Sequence, residues 1–276
     1  MYPYDIINFL GRGVKLYGVC IAVGLICCLV AFYMLSKRGG MPDKVQDFVF
    51  FILIGGLVSG FFFAMLFQAT YNWLDGWYKG KPFSLFGEGL TVMGGLIGGA
   101  SCFLILYFLI GKFYFKGKDL GLHKKHFNTL FRVAPICICI AHGFGRIGCL
   151  MSGCCHGAYL GKDYVFGGIY MQGTTNGWGY YVPIQLYESL FLFVLAAILI
   201  VLYFKRCNII MSLYLIAYAL WRFIIEILRT DARGVVILGL QPSQWQSILF
   251  LAGGIAIIIV YIVRKIPIFF PKQDKE

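Results

Sequence analysis

Seven stretches of about 20 mostly apolar residues recur along this chain, and that repeat constrains the fold more than any motif does. A helix rises about 1.5 Å per residue, so a run of this length matches the hydrocarbon core of a bilayer. Inside lipid every backbone N–H and C=O must bond within its own segment, which makes each run a spanning helix. The runs are expected at 14–36, 46–70, 91–111, 127–148, 185–204, 209–228 and 246–263. Charged residues make up only 13% of the chain, about half the ~25% of an ordinary soluble domain. The expected fold is therefore all-α: one polytopic membrane domain over 1–276, with seven transmembrane helices around a central polar cavity. A small extracytoplasmic head segment is expected at 149–183.

The net charge of +12 does not point to nucleic acid. The basic residues cluster in short segments after the first, third, fifth and seventh runs: Lys37, Arg38 and Lys44, then Lys112 to Lys125, then Lys205 and Arg206, then Arg264 to Lys275. That is the pattern of topology determinants that face the cytoplasm and its acidic lipid headgroups. The other connections carry a smaller set, Arg12, Lys15, Lys79, Lys81, Lys162, Arg229 and Arg233. The expected placement is a bacterial plasma membrane, with the N-terminus outside and the C-terminus cytoplasmic. Met1 to Gly13 lacks the basic start and short apolar core of a cleaved leader, so the first run is expected to act as the insertion signal. The longer, aromatic and glycine-rich connections, 71–90, 149–183 and 230–244, fall on the outer side. Trp73, Trp77 and Tyr78 suit interfacial anchors there. Function is expected in the outer half of the membrane.

Charges inside the apolar runs are the strongest functional signal, because ionisable groups in lipid are costly and usually serve a site. Arg146 sits between Gly145 and Gly148, a turn after His142. In the sixth run Tyr218, Arg222, Glu226 and Arg229 advance by four, four and three residues, so they share one helix face. That stripe either lines a polar cavity or is an Arg222–Glu226 pair that satisfies itself. The fifth run opens with Pro183, suited to a first helical turn, followed by Gln185, Tyr187 and Glu188. These form either a site wall or, for Glu188, a partner of the helix N-terminus. Gly94-Gly95-Leu-Ile-Gly98-Gly99 and Gly55-Gly56-Leu-Val-Ser59-Gly60 are spaced for close helix packing, or for a lipid sliding over a glycine surface.

Six of the ten cysteines, Cys20, Cys27, Cys28, Cys102, Cys137 and Cys139, lie within apolar runs, where a thiol acts as a small hydrophobe. Cys149, Cys154, Cys155 and His156 invite a metal reading. Their spacing is not a usual zinc pattern, and adjacent cysteines on a regular helix cannot both face one ion. No metal and no cofactor are expected; a redox pair or small packing residues are the preferred explanations.

These residues also carry a resemblance. Gly145-Arg146-Ile-Gly148 with Gly157 is similar to the signature of the prolipoprotein diacylglyceryl transferase family, and Ile140-Ala141-His142-Gly143 resembles the same helix. Leu16-Tyr17-Gly18, Met93-Gly-Gly-Leu-Ile-Gly98, Pro183-Ile-Gln-Leu-Tyr-Glu188, Tyr218…Arg222…Glu226…Arg229 and Gln244 follow in family order. Together these blocks cover nearly the whole chain.

The resemblance implies transfer of the diacylglyceryl group of phosphatidylglycerol to the lipobox cysteine thiol of a prolipoprotein signal peptide, with release of glycerol phosphate. Membrane lipids are the other partners implied, and nucleic acid is not. A departing phosphate calls for arginines, which makes Arg146, Arg222 and Arg229 candidates. Thiol deprotonation calls for a base, with His142, His156 and Glu226 in the motifs. Tyr17, Gly98, Gly145, Gly148, Gly157, Gln185, Tyr187, Glu188 and Tyr218 are expected to bind substrate.

The chain also departs from the family pattern. Cys149 and Ser152 stand where the family has asparagines, and Cys154 where it has a glutamate. Met93 stands where many members have a histidine, and Gly56–Phe61 lacks a glycine-flanked arginine. A divergent member is expected. The alternatives are a relative using another acceptor, or a non-catalytic phospholipid-binding assembly protein.

Overall fold

The computed structural model describes residues 5–9, 12–76, 80, 82–86, 91–163, 166–173, 176–229 and 239–270. Among the described residues, seven helices are long and apolar enough to cross a membrane. They are α1 (Leu16–Arg38), α2 (Asp43–Gly76), α3 (Val92–Tyr114), α4 (Leu122–Met151), α5 (Ile184–Phe204), α6 (Ile210–Ile227) and α7 (Pro242–Val263). The mostly helical, seven-span architecture matches the sequence expectation. Trp77, Tyr78, Lys79, Lys81 and the Thr230–Leu238 stretch with Arg233 lie outside the described residues.

Among the described residues, two small antiparallel sheets are added to the helices. Strands β1 (Asp5–Phe9) and β2 (Arg12–Lys15) pair ahead of α1. Strands β3 (Tyr159–Gly161), β4 (Ile169–Gly173) and β5 (Gly177–Tyr181) form a sheet in the order β3-β5-β4, inside the 149–183 segment. Met171 and Tyr181 are fully buried there and pack with Leu150 at the end of α4. Helices α2 and α4 run past the expected spans, α2 on through Trp73 to Gly76 and α4 back to Leu122.

The chain divides into two compact units, one of residues 36–130 and one of residues 1–35 with 131–276; the divisions fall within α1 and α4. In the first unit α2 and α3 pack glycine on glycine. A β-carbon at Gly60 would lie 3.1 Å from the Gly95 carbonyl oxygen, and one at Gly99 would lie 3.2 Å from that of Gly56. Small residues let the backbones approach this closely, so the glycine runs serve packing. Gly98 belongs to the same contact, with the Phe63 ring filling the place of a side chain.

In the second unit α4 is the axis. Gly24 of α1 packs on Phe144, whose Cβ would lie 2.6 Å from a β-carbon at that glycine. From α5, the Ser189 hydroxyl donates to the Gly143 carbonyl at 3.0 Å. Phe191 of α5 stacks on Trp221 of α6 at 4.4 Å, and Gly254 of α7 nests against Ile216 and Ser212 of α6. In the first half of α4, Arg132 donates from Nε to the Cys207 carbonyl at 2.8 Å and lies over the rings of Tyr203 and Phe270. The chain after α7 turns back there, with Cys207 and Phe269 forming a β-bridge.

Candidate functional site

Arg146 of α4 and Glu188 of α5 are charges within two different apolar spans, and the structure brings them together. Glu188 is fully buried in α5. The Arg146 Nη2 donates to its Oε1 at 3.0 Å, while Nε lies 2.9 Å from Oε2. The second approach is a close ion contact, not an aligned hydrogen bond. Tyr218 of α6 donates its hydroxyl to the same Oε1 at 3.1 Å, and His142, one turn before Arg146, places Nε2 3.7 Å away. The His142 ring meets Tyr218 edge-on at 5.5 Å. Three helices thus converge on one carboxylate. Glu188 is a buried counter-ion rather than a partner of the α5 N-terminus.

A second ionic group lies along α6. Arg222 pairs with Glu226 at 2.7 Å across one turn, and Arg229 Nε lies 3.9 Å from the same carboxylate oxygen. Both side chains of the Arg222–Glu226 pair are buried, so the internal pair weighed from sequence is present. It does not satisfy Arg222 completely. Its Nη1 is buried without a hydrogen-bond partner among the described residues. Arg222 also lies within electrostatic reach of Glu188 and His142, which links the two groups. Among the described residues three arginines, Arg146, Arg222 and Arg229, gather around Glu188 and Glu226, and a buried guanidinium N–H in a low-dielectric setting attracts an anion strongly.

A third group surrounds the end of α4. Gln185 donates from Nε2 to the Cys154 carbonyl at 2.6 Å. His156 is buried, its Nδ1 3.0 Å from the Gly157 carbonyl oxygen and its ring 4.2 Å from that of Tyr181. Gly157 is closely covered by Ile184 and the Leu228 carbonyl. Gly148 packs on Tyr17, which lies within electrostatic reach of Arg146 and of Cys149, Cys154 and Cys155. The Cys154 thiol, beyond the end of the helix, is pushed above its ordinary range, first by the hydrogen bonds it shares with Cys149 and Cys155 and then by burial.

His142, Arg146, Glu188 and Tyr218 therefore meet directly, and Arg222, Glu226 and Arg229 form the neighbouring group. His156, Gly157 and Gln185 belong to the head-side group with Tyr17 and Gly148 beside it. Tyr187 is exposed, with its hydroxyl 3.5 Å from the Gly167 carbonyl. Gly145 has open space where a side chain would stand, and Gly98 sits in the α2–α3 contact. Sequence reasoning did not single out Tyr214, buried and stacked on Tyr218 at 5.9 Å. Its position four residues before Tyr218, on the same face, was the available signal.

Comparison with known proteins adds an independent line. The family model for prolipoprotein diacylglyceryl transferase matches residues 5–260. A phosphatidylglycerol–prolipoprotein diacylglyceryl transferase 2 of Clostridium perfringens is 32% identical over 265 residues, covering 93% of each chain. The phosphatidylglycerol–prolipoprotein diacylglyceryl transferase of Streptococcus pneumoniae is 29% identical over 273 residues, covering 95% of each.

Proposed function

This chain belongs to the prolipoprotein diacylglyceryl transferase family, and we propose that it transfers the diacylglyceryl group of phosphatidylglycerol to the lipobox cysteine of a prolipoprotein. The observation that carries the reading is the buried Arg222 Nη1 donor, unpartnered among the described residues, in a cluster where Arg146 and Arg222 both lie within reach of Glu188. A phosphodiester oxygen is the acceptor such a donor fits. As the bond between the glycerol carbon and the phosphate oxygen breaks, the leaving phosphate gains a second charge, and preorganised guanidiniums stabilise that developing charge. The attacking thiol loses its proton, a sulfur–carbon bond forms, and glycerol phosphate departs.

His142 is the favoured base because it stands among the charged groups, 3.7 Å from Glu188, whereas His156 is engaged with Tyr181 and the Gly157 carbonyl. Glu188 holds Arg146 in orientation, Glu226 does so for Arg222, and Tyr218 fixes the Glu188 carboxylate. Tyr17, Gly148, Gly157 and Gln185 would shape the acceptor side. The distribution of basic residues supports a plasma-membrane protein with its N-terminus outside and its C-terminus cytoplasmic. The cluster then lies in the outer half, within one membrane domain that carries the 149–183 head.

The test is release of glycerol phosphate from phosphatidylglycerol by the purified chain with a lipobox peptide. The reading requires release that depends on the peptide's cysteine and is lost in Arg146→Ala. Peptide-independent phospholipid binding without release would sink it in favour of a lipid-binding role.

A further inference from the structure

Beyond lipid transfer, we propose that Cys149, Cys154 and Cys155 form a binding site for one thiophilic metal ion of the Zn(II) or Cu(I) class. Their three sulfurs all lie within 4.8 Å of one another. None of them is in a disulfide, and all three are partly exposed. Zinc–sulfur bonds of ~2.3 Å separate tetrahedral thiolates by about 3.8 Å, so side-chain rotation alone closes the set. Soft thiolates select such cations over harder ones.

The spacing of these cysteines argues against a metal only on a regular helix, and the helix stops before two of them. Helix α4 ends at Met151, and Gly153 follows at φ +67. The Gly153 amide bonds the Leu150 carbonyl at 3.2 Å, and the Cys154 amide bonds that of Cys149 at 3.1 Å. This is a Schellman ending, in which the side chains three before the cap and two after it meet. Those two side chains are Cys149 and Cys154. Cys155 follows with φ +62, a left-handed turn that returns its sulfur to the other two.

The turn is held from two sides. A β-carbon at Gly153 would run into the Gln172 carbonyl of β4, and Gln185 of α5 binds the Cys154 carbonyl. A site built on a fixed backbone loses little freedom on binding. Arg146, one turn before Cys149, lies within electrostatic reach of Cys149 and Cys155 and offsets the negative charge of a metal–thiolate unit. Binding converts three S–H bonds to three S–metal bonds and releases three protons, with no change in oxidation state.

The test uses the full chain, reduced and kept anaerobic in detergent, titrated with Cd²⁺ as a visible surrogate for zinc. Sulfur-to-metal absorption should saturate at one ion per chain. Alkylation followed by peptide mass analysis should show protection confined to Cys149, Cys154 and Cys155. Cys154→Ser and Cys155→Ser should each weaken binding roughly tenfold or more, and Cys102→Ser should leave it unchanged. Protection is read on the unaltered chain, so it holds even where a variant misfolds. The proposal fails if protection falls on other cysteines, or if the triple serine variant binds as well. It also fails if Cd²⁺-saturated protein still forms a Cys149–Cys154 disulfide in air.

Discussion

Helix α4 carries two arginines largely withdrawn from solvent, Arg132 and Arg146, and they are satisfied in opposite ways. Arg132 is met by neutral groups: the Cys207 carbonyl at 2.8 Å, the Tyr203 carbonyl at 3.4 Å, and the Tyr203 and Phe270 rings. Arg146 is met by a fully buried carboxylate, itself shared with Tyr218 and approached by His142. Both guanidiniums are largely withdrawn from solvent, so burial does not separate an arginine that locks the fold from one proposed to serve the site. The partner is the difference. Carbonyls and rings leave no buried donor of Arg132 unpartnered among the described residues, whereas the ionic cluster around Glu188 and Glu226 keeps a buried Arg222 N–H without a hydrogen-bond partner among them.

The largest effect that sharpens this contrast is expected at Glu188. Glu188→Gln leaves Arg146 buried without its counter-ion and should cost about 3–5 kcal/mol, read as a drop in the melting temperature of detergent-solubilised protein. The double variant Arg146→Met with Glu188→Leu should recover much of that stability while transfer stays abolished. Next comes Arg222→Lys, which keeps the charge but loses the forked donors. Its kcat should fall about 10²–10³-fold with little change in melting, as for loss of one oxyanion donor.

Arg132→Met should reverse that pattern, costing about 1.5–3 kcal/mol of stability through the lost charged hydrogen bond. Transfer per folded molecule should be unchanged below the melting transition. Inactive but fully folded Arg132→Met would break the comparison. The smallest effect is expected at exposed Tyr187, where Tyr187→Phe should stay within about 0.5 kcal/mol and leave KM and kcat as they are.

The spans were legible because bilayer thickness imposes a length that apolar runs display directly. Their extensions were not, since Tyr71–Gly76 and the start of α4 at His123, Lys124 and Lys125 are too polar to count as lipid-facing, yet continue the helix. The sheet at 159–181 escaped because its strands are three to five residues long and depend on each other for their hydrogen bonds. In the site, each lone charge announced itself as costly in lipid, but which charges pair was hidden. Arg146 and Glu188 are 42 residues apart, and no local pattern links them. The closeness of the three cysteine sulfurs was hidden for a related reason: it comes from a left-handed turn that spacing rules for regular helices do not include.

The Arg132 clamp also sets an order of events during synthesis. The helix that carries it enters the membrane well before its carbonyl partner at Cys207, 75 residues later, and before the Phe270 ring has left the ribosome. The final closure around Arg132 therefore waits for residues beyond the last span. A truncation after Lys265 would leave every transmembrane helix intact and both hydrogen bonds of Arg132 in place, yet remove the Phe270 ring above its guanidinium and the bridge between Cys207 and Phe269.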